Sequence, residues 1–131
     1  MKPLSHAVIL FAVSIVSLSL GNILLKIGMD RFESLTTTGG LPAWQALMKV
    51  PQLPAGIGLM IVQFLCTLTL FKWGWDASVV IPVMGLCYVG MAILGKWMLN
   101  EPVNATRWLG ICLIVAGVFF VARSVAPANT P

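Results

Sequence analysis

Residues 4–25 contain no ionisable side chain except His6, and three further apolar runs follow at 53–71, 77–95 and 108–122. At about 1.5 Å of rise per helical residue, some 20 apolar residues cross a hydrocarbon core of roughly 30 Å. Four such runs leave almost nothing of the 131 residues outside a bilayer. Backbone groups in lipid must find their hydrogen bonds internally, which restricts the chain to helices or a closed barrel. Period-two alternation is absent and the runs are too long for barrel strands, so the pattern predicts an all-α membrane protein with four transmembrane helices.

Composition agrees. The hydrophobic fraction is 59% and the charged fraction 9%, with a mean hydropathy of +0.97, whereas soluble domains carry about 25% charged residues. A cleaved signal peptide fits the first run less well than a membrane span, because the stretch exceeds the usual apolar region of about 7–15 residues and no A-x-A site closes it. The formal charge of +4 falls mostly at predicted helix ends, where it suits anionic headgroups. No basic cluster with interleaved aromatics points to nucleic acid. Cys66, Cys87 and Cys112 are odd in number and lie on different predicted helices, which fits neither a metal site nor a disulfide framework.

The expected organisation is one four-helix transmembrane domain over 1–125, with helices at about 4–29, 53–75, 77–99 and 104–123, and a disordered polar tail at 126–131. Between helices 1 and 2, residues 42–49 could form a short interfacial helix opened by Pro42, with Trp44 at headgroup level and Lys49 snorkelling. Pro51 and Pro54 end that segment. Trp73 and Trp75, flanked by Lys72 and Asp76, mark a tight turn at a membrane boundary. Asn104 is placed to cap helix 4. Orientation stays open: Lys2, Lys72 and Arg123 share the side of the termini, against Lys26, Arg31, Lys49, Lys96 and Arg107 on the other, a small excess for the positive-inside rule.

Polar groups inside the membrane are the candidates for function. Asn22 and Lys26, four residues apart, share one face of helix 1 with Ser19 adjoining. Either Lys26 snorkels to the interface, or it presents a point charge to an anionic headgroup while Asn22 adds a hydrogen bond. Gln63 and Thr67 form a second pair, for which interhelical bonding is a sufficient account. Tyr88 reads as a packing aromatic or a cavity wall. Pro82 removes a helix hydrogen bond and is expected to bend helix 3. No carboxylate falls inside a predicted span, which counts against a proton relay within the chain. No nucleophile–base–orienter set, phosphate-cradling glycine loop or zinc signature occurs, so neither an enzyme nor a cofactor or metal site is expected. Ser14, Gly21 and Gly28, and again Gly110 and Gly117, recur every seven residues and form small-residue seams for close helix packing.

The stretch from Gly110 through Leu113, Ile114, Gly117 and Val118 resembles the G-x-x-L-I-x-x-G-V pattern of the fourth helix in the small multidrug resistance members of the drug/metabolite transporter superfamily, also known for its EamA-like proteins. Gly21 and Lys26 resemble a Gly-x4-Lys element of their first helix. The resemblance departs where those exporters carry a membrane glutamate, here Leu18, and a Tyr and Trp three apart, here Val80 and Val83. These departures count against proton-coupled cation exchange. The chain is more similar to the small subunits that flip undecaprenyl phosphate-linked aminoarabinose. The similar features are Gly21-Asn22 ahead of Lys26, Pro82, and Glu101-Pro102-Val103 followed by Trp108-Leu109-Gly110.

That resemblance implies a flippase subunit in the bacterial inner membrane, paired as a homodimer or heterodimer through Gly110, Leu113, Ile114 and Gly117. Lys26 would meet the phosphate of a lipid-linked sugar, Asn22 and Gln63 would bond its head, and Tyr88 would wall the groove. Helix 3 would flex at Pro82 and Gly85, and Glu101 and Arg107 would order the following turn or gate it. Two alternatives stay open: a small-molecule or cation exporter, and a membrane scaffold that transports nothing.

Overall fold

A computed structural model describes residues 4–124. The expected tail at 126–131 and Lys2 lie outside the described residues. The elements run α1 (Leu4–Glu33), a π-helical turn (Ser34–Thr38), α2 (Ala43–Met48), α3 (Gln52–Lys72), α4 (Ala77–Met84), α5 (Cys87–Met98) and α6 (Ala105–Ser124). Four segments are long and apolar enough to cross a membrane, with α4 and α5 together forming the third. The protein is a multi-pass, all-helical membrane protein.

Helix 1 is longer than the predicted 4–29. Its 30 residues reach about 45 Å, half as long again as the hydrocarbon core. Asp30, Arg31 and Glu33 end the apolar run without ending the helix, since charged residues are ordinary helix formers once outside lipid. The helix ends where hydroxyls take over its last carbonyls. Ser34 donates to the Arg31 carbonyl, Thr36 to that of Phe32, and Thr37 to that of Glu33, which satisfies groups that a helix C-terminus otherwise leaves bare. Gly40, at φ +60°, then turns the chain toward α2.

The short helix expected at 42–49 is present, with extended Pro42 before it. Ala46 and Val50 are buried, while Trp44, Leu47 and Met48 are exposed beside Lys49. Pro54 sits in the first turn of α3, where a missing N–H costs nothing. Helix 3 of the prediction is interrupted. Between α4 and α5, Gly85 donates to Pro82, Leu86 to Val83, and Tyr88 to Gly85. These i→i+3 bonds tighten the backbone one turn after the proline that cannot donate.

Helix α1 is the centre of the packing, against α3 along its length and against α5. Gly21 and Gly56 face each other: a Cβ on Gly56 would lie 3.0 Å from the Gly21 carbonyl oxygen, and one on Gly21 would lie 3.1 Å from that of Gly56. Gly28 meets Leu53 in the same seam. The α1–α5 contact is fixed by Ser19, whose hydroxyl reaches the Cys87 carbonyl at 3.1 Å and lies against Gly90. At the end near the 73–76 turn, Ala7, Leu70, Val80 and Met84 form a buried cluster, flanked by Phe11 and Trp75 edge to face at 5.4 Å. Helix α6 packs on α4 and keeps most of its surface uncovered, with Leu113 67% and Phe120 70% exposed.

Candidate functional site: a groove between α5 and α6

The α5–α6 turn positions a carboxylate by local rules. Asn100 takes a left-handed φ of 52°, which asparagine tolerates better than most residues. The Glu101 N–H then folds back onto the Gly95 carbonyl at 3.2 Å. Gly95 has no side chain to obstruct the glutamate: a Cβ there would lie 3.4 Å from Glu101 Oε2. Across the gap, Lys26 Nζ of α1 donates to Glu101 Oε1 in an ion pair whose side chains are 49% and 32% exposed. The pair joins residues 75 positions apart and ties the α5–α6 turn to α1.

Glu101 is also part of the wall of a groove of about 400 Å³. Tyr88, Met91 and Ala92 line it from α5, Val103 from the turn, and Arg107, Gly110, Ile111 and Ile114 from α6. Asn104 caps α6 as expected, its Oδ1 accepting the Arg107 N–H at 3.0 Å. Arg107 therefore occupies the first turn of a 20-residue helix that has no acidic residue there. A cation at that end opposes the helix dipole. The guanidinium forms no ion pair among the described residues, so two positive features, the helix end and Arg107, lie at a groove whose walls are apolar apart from Tyr88 and Glu101. Local preference is set aside here without an ion-pair partner among the described residues, a pattern expected of functional positions.

The structure brings together only part of the predicted set. Tyr88, Glu101 and Arg107 line the groove, and Lys26 reaches its edge through Glu101. Asn22 instead donates to the Leu18 carbonyl of its own helix at 2.9 Å. Gln63 donates to Thr67 at 2.9 Å within α3, so the bond expected between helices is made inside one, as four-residue spacing allows. Neither Asn22 nor Gln63 lines the groove. Ser19, expected beside Lys26, turns to α5. Pro82 and Gly85 flank the α4–α5 break. Gly110 and Ile114 wall the groove, while Gly110 and Gly117 have open space where a Cβ would be. The sequence reading missed the Lys26–Glu101 pair; the signal for it was two opposite charges on the same side of the membrane in the predicted topology.

A second groove, of about 460 Å³ and mostly apolar in lining, lies near the opposite end between Phe11, Ile15, Trp75, Val79, Val83 and Ala122. Among the described residues no group of His, Cys, Asp or Glu is arranged to hold a metal ion.

No protein-family profile matches the chain, and no solved structure matches it. Curated relatives do. The chain is 40% identical over 48 residues to a protein of Pseudomonas syringae pv. syringae named as a probable 4-amino-4-deoxy-L-arabinose-phosphoundecaprenol flippase subunit ArnE, covering 37% of this chain and 44% of that protein. A protein of the same name from Pseudomonas savastanoi pv. phaseolicola is also 40% identical over 48 residues, covering 42% of its length. The match thus spans less than half the length of these two relatives. A third protein of that name, from Pseudomonas aeruginosa, is 27% identical over 110 residues, covering 80% of this chain and 87% of the relative. The similarity to small flippase subunits read from the sequence motifs is found again in these relatives.

Proposed function

We propose that the chain is a subunit of a bacterial inner-membrane flippase for a phosphoundecaprenol-linked sugar. The observation that carries this reading is Arg107, a cation at a helix N-terminus with no ion pair among the described residues, which lines a mostly apolar groove. The combination suits an amphiphile with an anionic phosphate and a long hydrocarbon tail: Arg107 and the α6 end attract the phosphate, and the walls from Met91, Ile111 and Ile114 accept the first units of the tail. Tyr88, 55% exposed, borders the head with a hydroxyl. The roles sketched for Lys26, Asn22 and Gln63 change accordingly. Lys26 is held by Glu101, and Arg107 makes the first contact with phosphate.

A second subunit completes the groove. One chain leaves the groove open along α6, and a partner helix laid on Gly110, Leu113, Ile114 and Gly117 would form the missing wall. The relatives' names, each a flippase subunit, favour such an assembly. The flexing element is the α4–α5 break, where Pro82 leaves the Ser78 carbonyl without its usual helix donor.

The test is reconstitution of the assembled protein in vesicles with phosphoundecaprenol-linked aminoarabinose on one leaflet, followed by its appearance on the other. Wild type should move the lipid, and Arg107→Gln should lose most of that rate with assembly retained. Movement of organic cations with none of the lipid would replace this reading with the exporter. Movement of neither, in an assembled protein, would favour the scaffold.

A further inference from the structure

We infer that Glu101 is a seat for an ammonium group, held by Lys26 until a ligand amine replaces it, and that it makes the groove selective for head groups carrying a cation beside their phosphate. The inference rests on the lipid-linked sugar reading and specifies its head group.

Three observations lead there. Glu101 lines the groove, and its Oε1 accepts the ammonium of Lys26 from a different helix. Its position is rigid on the backbone side, through the bond to Gly95 and the absence of a side chain beneath Oε2. Arg107 lines the same groove without bridging to Glu101, so the carboxylate is not claimed by the nearer cation in sequence. A carboxylate at the edge of lipid needs a cation beside it at all times. Lys26 meets that need with a flexible stem and a compact charge, both of which favour exchange.

Charge balance then discriminates between ligands. A head with both phosphate and ammonium breaks one ion pair and forms three: its ammonium takes Glu101, and the released Lys26 joins Arg107 on the phosphate. No charge is left bare. A head with phosphate and a neutral sugar cannot release Lys26 without stranding Glu101, so its phosphate meets Arg107 alone. The two heads therefore share one cation, and the zwitterionic head gains a second.

The test compares two probes on the same preparation of the full chain in nanodiscs: phosphoundecaprenol bearing 4-amino-4-deoxy-L-arabinose, and the same lipid N-acetylated, which loses only the positive charge. Wild type should prefer the amine by about fivefold or more, the order of one charge-assisted contact in a half-exposed site. Glu101→Gln should bring the ratio close to one from both directions, weakening the amine and strengthening the acetylated lipid, because Lys26 is freed for either phosphate. A poorly folded variant cannot strengthen a ligand, and a ratio read on one preparation does not depend on the folded fraction. Arg107→Gln should weaken both probes and keep the ratio. Equal binding of both probes by wild type, or an unchanged ratio in Glu101→Gln, overturns the inference and leaves the flippase reading in place. Binding of neither probe by wild type overturns both.

Discussion

Gly56 and Gly58 lie two residues apart on α3 and face opposite environments, which allows a comparison within one helix. Gly56 is buried against α1; Gly58 is exposed, and a Cβ there would meet nothing within 4 Å. Replacing either by alanine gains helix propensity of about 1 kcal/mol. At Gly58 that gain stands alone. At Gly56 the new methyl would lie 2.8 Å from Leu25 Cγ and 3.0 Å from the Gly21 carbonyl oxygen. Leu25 can change rotamer at a cost of about 1 kcal/mol, but the carbonyl moves only with α1 itself. Shifting α1 loosens the whole seam down to Gly28 and Leu53, and overpacking of this kind costs about 1–3 kcal/mol. Gly56→Ala should therefore be less stable than Gly58→Ala by about 2 kcal/mol, roughly thirtyfold in the unfolding equilibrium. Denaturant titration in lipid–detergent micelles, followed by tryptophan fluorescence, measures the difference directly. If Gly56→Ala proves as stable as Gly58→Ala, the close backbone approach of α1 and α3 is not what holds the bundle together.

Two further outcomes follow from the same geometry. A Cβ on Gly90 would lie 2.5 Å from Ser19 Oγ, so Gly90→Ala should destabilise the protein, and Ser19→Ala, which alone gives up a bond of about 0.5–1.5 kcal/mol, should recover part of that loss when the two are combined; a double-mutant cycle reads the coupling, and strict additivity would refute the contact. A Cβ at Gly117 meets nothing within 4 Å among the described residues, so Gly117→Leu should keep its helical circular dichroism and thermal stability as a monomer while losing subunit association in light scattering; retained association would remove α6 from the pairing surface.

Much of the fold follows from local rules that a sequence displays. Four apolar runs fix four spans, Asn104 caps α6, Pro42 opens the short α2, and Pro82 with Gly85 locates the interruption of the third span. What escaped was governed by geometry across the bundle or beyond the lipid. The end of α1 was misplaced because Asp30 and Arg31 mark the limit of hydrocarbon, not of the helix. Asn22 was expected to meet a head group and Gln63 with Thr67 to bond between helices, whereas four-residue spacing lets each bond within its own helix and leave the groove. Ser19 shares a helix with Lys26 yet also reaches α5, its hydroxyl lying 2.8 Å from the Ile15 carbonyl of its own helix and 3.1 Å from that of Cys87. The predicted topology put Lys26 and Glu101 on the same side of the membrane, but their pairing required knowing that the α5–α6 turn packs beside α1.

The arrangement of α6 joins recognition to assembly. Gly110 and Ile114 wall the groove, and the same helix carries the open glycines at 110 and 117. A partner packed there would cover the side of the groove that faces lipid, lowering the local dielectric around Glu101 and Arg107 and strengthening each ion pair made with a head group. It would also restrain α6 against α4, whose following break is the point at which the third span can bend. On the proposed reading, head-group selection by Glu101, phosphate capture by Arg107 and subunit pairing would not be independent of one another. A substitution on the outer face of α6 that never touches the ligand should still weaken its binding, through the water it admits to the two charges.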